Sequence, residues 1–435
     1  MARRLNSQEP GFDNAFRAFL AGKREVVREV DDVVASILDG VRSRGDAALL
    51  EYTKIFDNVQ LSSEQVRLSV DEIESAYSEC DRTAIDALKL AARRIEDFHQ
   101  RQMPENLSYT DEAGIKLGAR WRPLDAVGLY VPGGSAAYPS SLLMNAIPAR
   151  IAGVRRVAMA VPAPNINVDP LVLAAAKLSG IHEIYRVGGA QAVGALAYGT
   201  ETIAPVDKIV GPGNAYVTAA KRLVFGVVGI DMIAGPTEIL IVADSDNDPS
   251  WIAIDLLAQA EHDVASQSIL ITDDKTFADQ VTSAVQDHLI TLNREHIARA
   301  SWENNGLIVI IKNFGQVPYL VDVVAPEHLE LAVADPESLV ADISHAGAIF
   351  LGRYTPEAIG DYVAGPNHVL PTGGSARFCS GLSVLDFLKR TSIIECSAES
   401  LRTIGPAAVV LAEREGLDAH ARSINVRLNR SISDR

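Results

Sequence analysis

Ala126-Val-Gly-Leu-Tyr-Val131 is an apolar run of strand length, closed by Pro132-Gly-Gly-Ser135 before a helix-favouring segment opens at Ser140. An apolar run, a glycine turn and a helix make half of a βαβ unit. The same order returns downstream. Residues 157–161 lead through a proline loop to a helical pattern over 171–177, residues 183–187 end in Gly188-Gly-Ala-Gln191, and residues 208–210 end in Gly211-Pro-Gly-Asn214 ahead of another helix. Strand, tight loop and helix recurring at this interval predict a parallel sheet wrapped by helices.

Working outward, the unit recurs over 239–243, a helix carrying His262, 268–272, a helix from Lys275, 307–311 and 348–351, which predicts a second α/β domain. On the amino-terminal side the periodicity changes. Val26, Val27, Val30, Val33, Val34, Ile37, Leu38 and Val41 recur at three and four, which predicts helix over 12–55. Ser69-Val-Asp-Glu72 is a capping box, and Asp81 is placed to start a further helix that runs through Leu88 and Ile95 to the break at Pro104. Asp111-Glu-Ala-Gly114 has turn chemistry between extended runs. Residues 395–435 read as one or two small helices with a polar end, too little to fold alone.

The bulk numbers narrow the function. With 435 residues, 48% of them hydrophobic and 22% charged, the chain calls for two or more packed domains. A formal charge of -16 without a basic patch opposes nucleic-acid and anionic-membrane partners. Cys80, Cys379 and Cys396 are widely spaced and odd in number, which suits a reducing compartment. The start of the chain lacks a secretion pattern and no apolar run reaches membrane-spanning length, so a cytoplasmic location is expected.

Chemistry concentrates in a few stretches. Asp255-Leu-Leu-Ala-Gln-Ala-Glu-His-Asp263 sets Gln259 and His262 three positions apart, about one helical turn, so the two side chains can share a ligand. Such a cluster is also the ordinary wet end of an amphipathic helix, and spacing does not choose Gln259 over Glu261 or Asp263. Glu327 and His328, in Ala325-Pro-Glu-His-Leu-Glu330, offer two adjacent proton acceptors, with the imidazole matched to neutral pH. Asp361 lies shortly before His368, and His420 sits in Glu415-Gly-Leu-Asp-Ala-His420. Imidazoles with a carboxylate and an amide oxygen suit Zn²⁺ or a similar divalent ion. His99, His182, His288 and His296 occupy polar helical stretches and are read as surface residues. The glycine loops suit a nucleotide at strand carboxyl ends, although none completes G-x-G-x-x-G, and ordinary tight turns account for them as well.

Taken together, Tyr130-Val-Pro-Gly-Gly134, Gly211-Pro-Gly-Asn-Ala-Tyr-Val217, Asp231-Met-Ile-Ala-Gly-Pro-Thr-Glu238, Leu256-Leu-Ala-Gln-Ala-Glu-His-Asp263, Pro326-Glu-His-Leu-Glu330 and Asn367-His-Val-Leu-Pro-Thr372 resemble the histidinol dehydrogenase family. The resemblance spans nearly the whole chain in the family's order. It implies a homodimer with one zinc ion per subunit that oxidises L-histidinol through the aldehyde to L-histidine with two NAD, the last step of histidine biosynthesis. It implies Gln259, His262, Asp361 and His420 as metal ligands, Tyr130, Gln191 and Asn214 as NAD contacts, and Glu327 with His328 as the catalytic pair. Substrate would meet Thr237, Gln259, His262, His328, Asp361, Glu415, His420 and, less directly supported, His368. Glu415 and His420 would reach the site from the other subunit. Thr237 stands where serine is common, and Cys379 where serine is frequent.

The expected architecture is two Rossmann-like parallel-sheet domains, similar to aldehyde dehydrogenases, with a helical amino-terminal arm (1–24) and a small carboxyl-terminal tail domain (382–435) that docks on the partner. Residues 25–129 with 239–381 would carry most metal and catalytic groups, and 130–238 would bind NAD. Four rivals stand beside this reading: an aldehyde dehydrogenase using Cys379, a zinc hydrolase with the same metal ligands, a related zinc and NAD alcohol dehydrogenase of other specificity, and a non-enzymatic two-lobed carrier.

Overall fold

The computed structural model describes residues 2–21, 30–133, 138–233 and 235–429. Its strands in chain order are β1 (Arg3–Asn6), β2 (Leu107–Thr110), β3 (Lys116–Pro123), β4 (Ala126–Tyr130), β5 (Arg156–Ala160), β6 (Glu183–Tyr185) and β7 (Lys208–Val210). There follow β8 (Gly229–Ile230), β9 (Glu238–Ala243), β10 (Gln267–Thr272), β11 (Leu307–Ile310), β12 (His328–Ala332), β13 (Ala348–Leu351) and β14 (Leu388–Glu395). They form two wholly parallel sheets, β1-β11-β10-β9-β12-β13 and β6-β5-β4-β7-β8, and one antiparallel sheet, β14-β3-β2. The two parallel sheets wrapped by helices are the expected fold class.

The inner strands β9, β10, β11 and β12 of the six-stranded sheet are buried on both faces, and β9 shows how. Ile239, Ile241 and Ala243 pack into a core with the helices Pro249–Ala260, Lys275–Leu289 and Glu295–Asn305, while Leu240 and Val242 join Phe16 and the helix Val317–Val324 on the other face. A period of two that is apolar on both faces is the signature of a central parallel strand. In the five-stranded sheet, Ala158 and Ala160 of β5 and Ile209 of β7 pack against the helices Asp31–Arg44, Gly189–Tyr198 and Ala215–Val224.

Contacts divide the chain into two compact units: residues 1–102 with 124–387, and residues 103–123 with 388–435. The second consists of the antiparallel sheet and the helices Ala398–Arg414 and Asp418–Asn425, whose own small apolar cluster is Val409, Ala412 and Ala421. The tail is therefore not helices alone, because β14 brings β3 and β2 with it. The segment 126–129, placed above with 25–129, joins the five-stranded sheet through β4, and β1 makes part of the arm a strand.

Other expectations need correction. The helix over 12–55 is broken: Gly45, at φ 56°, separates Asp31–Arg44 from Asp46–Phe56, a conformation that glycine adopts without steric cost. Val26 and Val27 of that stripe lie outside the described residues, as do Gly134 and Ser135 of the first glycine turn. The capping box at Ser69 and the cap at Asp81 are present as expected. The helix meant to carry His262 ends at Ala260, two residues short, so His262 lies in the exit turn with its N–H bonded to the Gln259 carbonyl at 3.3 Å. The strand β12, which contains His328 itself, was not anticipated, because the polar residues of His-Leu-Glu-Leu-Ala hid a strand buried throughout.

Several glycines are fixed by close approach rather than by a ligand. At Gly211 (φ 113°) a methyl group would fall 2.1 Å from the Tyr130 carbonyl oxygen, and at Gly188 it would fall 2.4 Å from the Pro162 ring. Gly347 sits just before β13, where a methyl group would lie 2.5 Å from the Glu327 carbonyl oxygen. Gly347→Ala must push the backbone at Glu327 aside. A urea titration should show a loss of about 1–3 kcal/mol, the usual cost of overpacking a filled interior.

Candidate active site

Thr237 and Glu238 stand at the amino end of β9, and Glu327 and His328 at the amino end of the neighbouring β12. In-register pairing of His328 with Ile239 brings the two pairs side by side. Thr237 Oγ1 and the Glu238 N–H both donate to Glu327 Oε2, at 2.5 and 2.9 Å, and pin that carboxyl group. Burial drives its pKa well above the ordinary carboxylate value, only partly opposed by these two donors.

His328 is 3% exposed. Its Nδ1 lies 3.0 Å from the Glu238 carbonyl oxygen, so Nδ1 holds the proton and donates it, which leaves Nε2 as the free lone pair. Nε2 has no hydrogen-bond partner and faces Asp361 Oδ1 at 3.8 Å. Glu327 and Glu357 lie 3.7 and 3.5 Å from Nδ1. Burial lowers the His328 pKa to about 4 against the pull of Asp361, so the ring is a neutral base at physiological pH.

Asp361 and Glu357 share the short helix Glu357–Tyr362, four positions apart and hence on one face. Glu357 was not anticipated, although that spacing before Asp361 was legible. It is fully buried, with its pKa pushed well above the ordinary range by burial and by the neighbouring carboxylates. It receives the Gln259 amide nitrogen at 2.6 and 2.9 Å, while the Gln259 oxygen, 3.1 Å from the Glu238 N–H, shares that donor with Glu327. Glu330, two positions along β12 from His328, accepts from the Glu357 N–H at 2.6 Å. His368 holds Asp361 from behind: Nδ1 is 2.8 Å from the Asp361 carbonyl oxygen and Nε2 is 3.1 Å from Ser141 Oγ.

Glu327, His328, Glu357, Asp361 and His368 line a cavity of about 290 Å³ that also includes Thr237, His262, Gly211, Lys221 and Asp231, with Gln259 outside its lining. The Lys221–Asp231 pair is buried, and both partners bond the Gly211 backbone, Lys221 Nζ to its oxygen at 2.8 Å and Asp231 to its N–H at 2.7 Å. His262 is exposed at the rim, beside the carboxyl end of the helix Pro249–Ala260, where the helix dipole favours a cation.

The donor chemistry suits a divalent ion. His328, Glu357 and Asp361 offer atoms within 4.8 Å of one another, whereas the resemblance names Gln259, His262, Asp361 and His420. Asp361 is common to both sets. We favour His262 over Glu357 as a partner for Asp361, because Glu357 is occupied by the Gln259 amide and lies behind the ring of His328. The Gln259 oxygen already faces the Glu238 N–H, so ligation requires that amide to turn. Glu415 and His420 are exposed on the second unit, at the turn between its helices.

The expected NAD residues gather at a second cavity of about 530 Å³, which shares Pro132 with the first. Tyr130 ends β4 and accepts from the Gly189 N–H at 3.0 Å; burial raises its pKa to about 12, so it stays a neutral phenol. Gln191 is buried and Asn214 caps the helix Ala215–Val224. Cys379 lies outside the residues that line either cavity. His99, read as a surface residue, is fully buried, with Nδ1 2.8 Å from the Ile95 carbonyl oxygen and Nε2 near Asn367. In the helix Arg82–Gln100 it continues the buried stripe of Ile85, Leu88, Ala91 and Ile95.

The histidinol dehydrogenase family model matches residues 21–428. The chain belongs to the histidinol dehydrogenase family. A histidinol dehydrogenase of Rhodospirillum rubrum is 64% identical over 431 residues, 99% of both chains, and one of Brucella abortus is 58% identical over 429 residues, 99% of this chain and all of that one. A crystal structure of histidinol dehydrogenase from Elizabethkingia anophelis superposes with a TM-score of 0.93 at 36% identity, covering 98% of each chain. Among the described residues no helix is long and apolar enough to cross a membrane.

The His328 ring sets a pH dependence. An unfolded chain takes up this proton near pH 6.5 and the folded one only near 4. Its contribution to stability is therefore complete above about 6.5 and is lost as pH falls toward 4, at up to about 1.4 kcal/mol per pH unit. Urea titrations of metal-free protein at pH 7, 6 and 5 should show a flatter acid branch for His328→Gln than for wild type.

Proposed function

We propose that this chain oxidises L-histidinol through the aldehyde to L-histidine, passing hydride to two NAD in succession, with zinc as the resident metal. The observation that carries the reading is the orphaned Nε2 of buried His328, aimed into a cavity with Glu327, Asp361 and His262 beside a second cavity with glycine-lined walls. Family membership supplies the substrate class.

A bound zinc ion, held by Asp361 and His262 with Gln259 and a histidine of the partner subunit, would supply Lewis acidity and a fixed anchor for the amine and imidazole of the substrate. His328 Nε2 takes the hydroxyl proton as hydride leaves the carbinol carbon. The Glu238 carbonyl keeps the ring in the tautomer that this requires. The aldehyde then adds water. Glu327, in its ionised form, removes the water proton, and Thr237 Oγ1 orients the carboxylate for that step. His328 serves again as base when the hydrate is oxidised. A thiol route through Cys379 finds no support, since that residue lies outside both cavities.

We also propose a homodimer in the cytoplasm with sites shared between subunits, the second unit of each chain lending Glu415 and His420 to its partner. In the same reading 130–238 is the NAD-binding part, and 239–381 carries most of the metal and catalytic groups.

Purified, zinc-loaded protein should release two NADH per histidinol consumed, read from NADH absorbance; one NADH per substrate, or none, would refute the four-electron reading. Glu327→Gln should slow histidinal oxidation by about a hundred- to ten-thousand-fold and histidinol oxidation far less. Single-turnover assays of the two half-reactions separate these, and equal losses would reject the division of labour. Refolding an equal mixture of Glu327→Gln and His420→Asn should restore about a quarter of wild-type activity, because half the dimers are mixed and one of their two sites is intact. No restoration would place each site within one chain.

A further inference from the structure

We propose that Asp57 is the residue that selects NAD over NADP, by accepting the hydroxyls of the adenosine ribose and repelling a 2′-phosphate. The inference rests on reading the larger cavity as the cofactor pocket.

In the ordinary dinucleotide fold the acidic residue that reads the ribose stands at the carboxyl end of the strand after the first glycine turn. Here that strand is β5, and it runs out into Val161-Pro-Ala-Pro164, with no carboxylate. The position is taken from elsewhere in the chain. Asp57 is the carboxyl-terminal cap of the helix Asp46–Phe56, which packs against the helix Gly189–Tyr198. It enters the cavity beside Gln191, whose Nε2 donates to Asp57 Oδ2 at 3.2 Å.

Two features orient the ligand. The helix Gly189–Tyr198 opens at the cavity wall, where Tyr130 takes the Gly189 N–H and the N-cap residue Gly188 has no side chain to cap the amides that follow, so those of Ala190 and Gln191 are left for the space where a diphosphate would sit. Asp57 stands one side chain away from that terminus, through Gln191, with Pro162 and Pro164 forming an apolar wall suited to a base. The catalytic cavity lies beyond Pro132, so the nicotinamide points that way and the adenosine half falls to Asp57.

Charge decides the preference. Among the described residues that line the cavity, Asp57 is the one with a formal charge; the rest are apolar residues, tyrosines, amides and glycines. Among the described lining residues a 2′-phosphate would meet a carboxylate and no cation, whereas a 2′-hydroxyl donates to it. Asp57 is half-buried and keeps its second oxygen free of any hydrogen bond among the described residues.

The test is the ratio of kcat/KM for NADP to that for NAD, with histidinol as substrate and the zinc-loaded enzyme. Asp57→Asn keeps the shape and removes the charge; the ratio should rise about ten- to a hundredfold, the range of a hydrogen bond to a charged group. Calorimetric binding, which needs no turnover, should follow, with the affinity for 2′,5′-ADP gaining on that for ADP by the same factor. If Asp57 only holds Gln191 in place, both cofactors weaken equally and the ratio stays fixed, which overturns the proposal. Gln191→Ala separates the two levels of the argument. Should it leave the KM for NAD unchanged, the cavity is not the cofactor pocket and the inference falls with that reading. Should it raise KM while Asp57→Asn leaves the ratio fixed, the inference on Asp57 alone is refuted.

Discussion

The hydrogen bond from His328 Nδ1 to the Glu238 carbonyl is the contact on which the site depends. It exists because β9 and β12 are neighbours in register, so the last residues before one strand meet the first residue of the other. It settles the tautomer, and with it which nitrogen faces the substrate. The same strand end supplies the Glu238 N–H and the Thr237 hydroxyl to Glu327. One short segment of backbone thereby orients both acid–base groups, and the burial of the sheet's inner strands on both faces keeps that segment from moving.

The location is unusual for a parallel sheet. Ligands of open α/β sheets gather at strand carboxyl ends, and the turns after β4 and β7 obey this, contributing Pro132 and Gly211. The acid–base residues instead sit at the amino edge of the other sheet. The cavity is thus built where the carboxyl edge of one sheet meets the amino edge of another, which lets a cofactor approach from one side and the bases from the other. Three buried carboxyl groups, Glu327, Glu330 and Glu357, with Asp255 close to Glu330, make this edge costly in folding terms. A site of that kind persists because the surrounding sheet is well packed.

Glycine usage illustrates how one residue type serves different ends. The loops at 188–189 and 211–213 look like phosphate cradles in sequence. In the fold, Gly188 and Gly211 are required by the Pro162 ring and the Tyr130 carbonyl. The open amides of Gly189–Tyr198 offer anion binding in addition.

Sequence by itself determined the order of strand, turn and helix, the two parallel sheets and the residues of the family's motifs, because these are local patterns of two to twenty residues. It also placed Glu357 four positions before Asp361, a spacing that went unread. Tertiary structure alone decided the rest. The Thr237–Glu327 bond joins residues 90 apart in the chain and the Gln191–Asp57 bond residues 134 apart. No local periodicity encodes such pairs. His99 looked exposed because its neighbours are polar, and it is buried because Asn367 and the backbone of Leu382 meet its ring from other segments. The strand β12 looked too polar to be a strand; it is one because its glutamate and histidine are desolvated together at the site, where a buried base has to be.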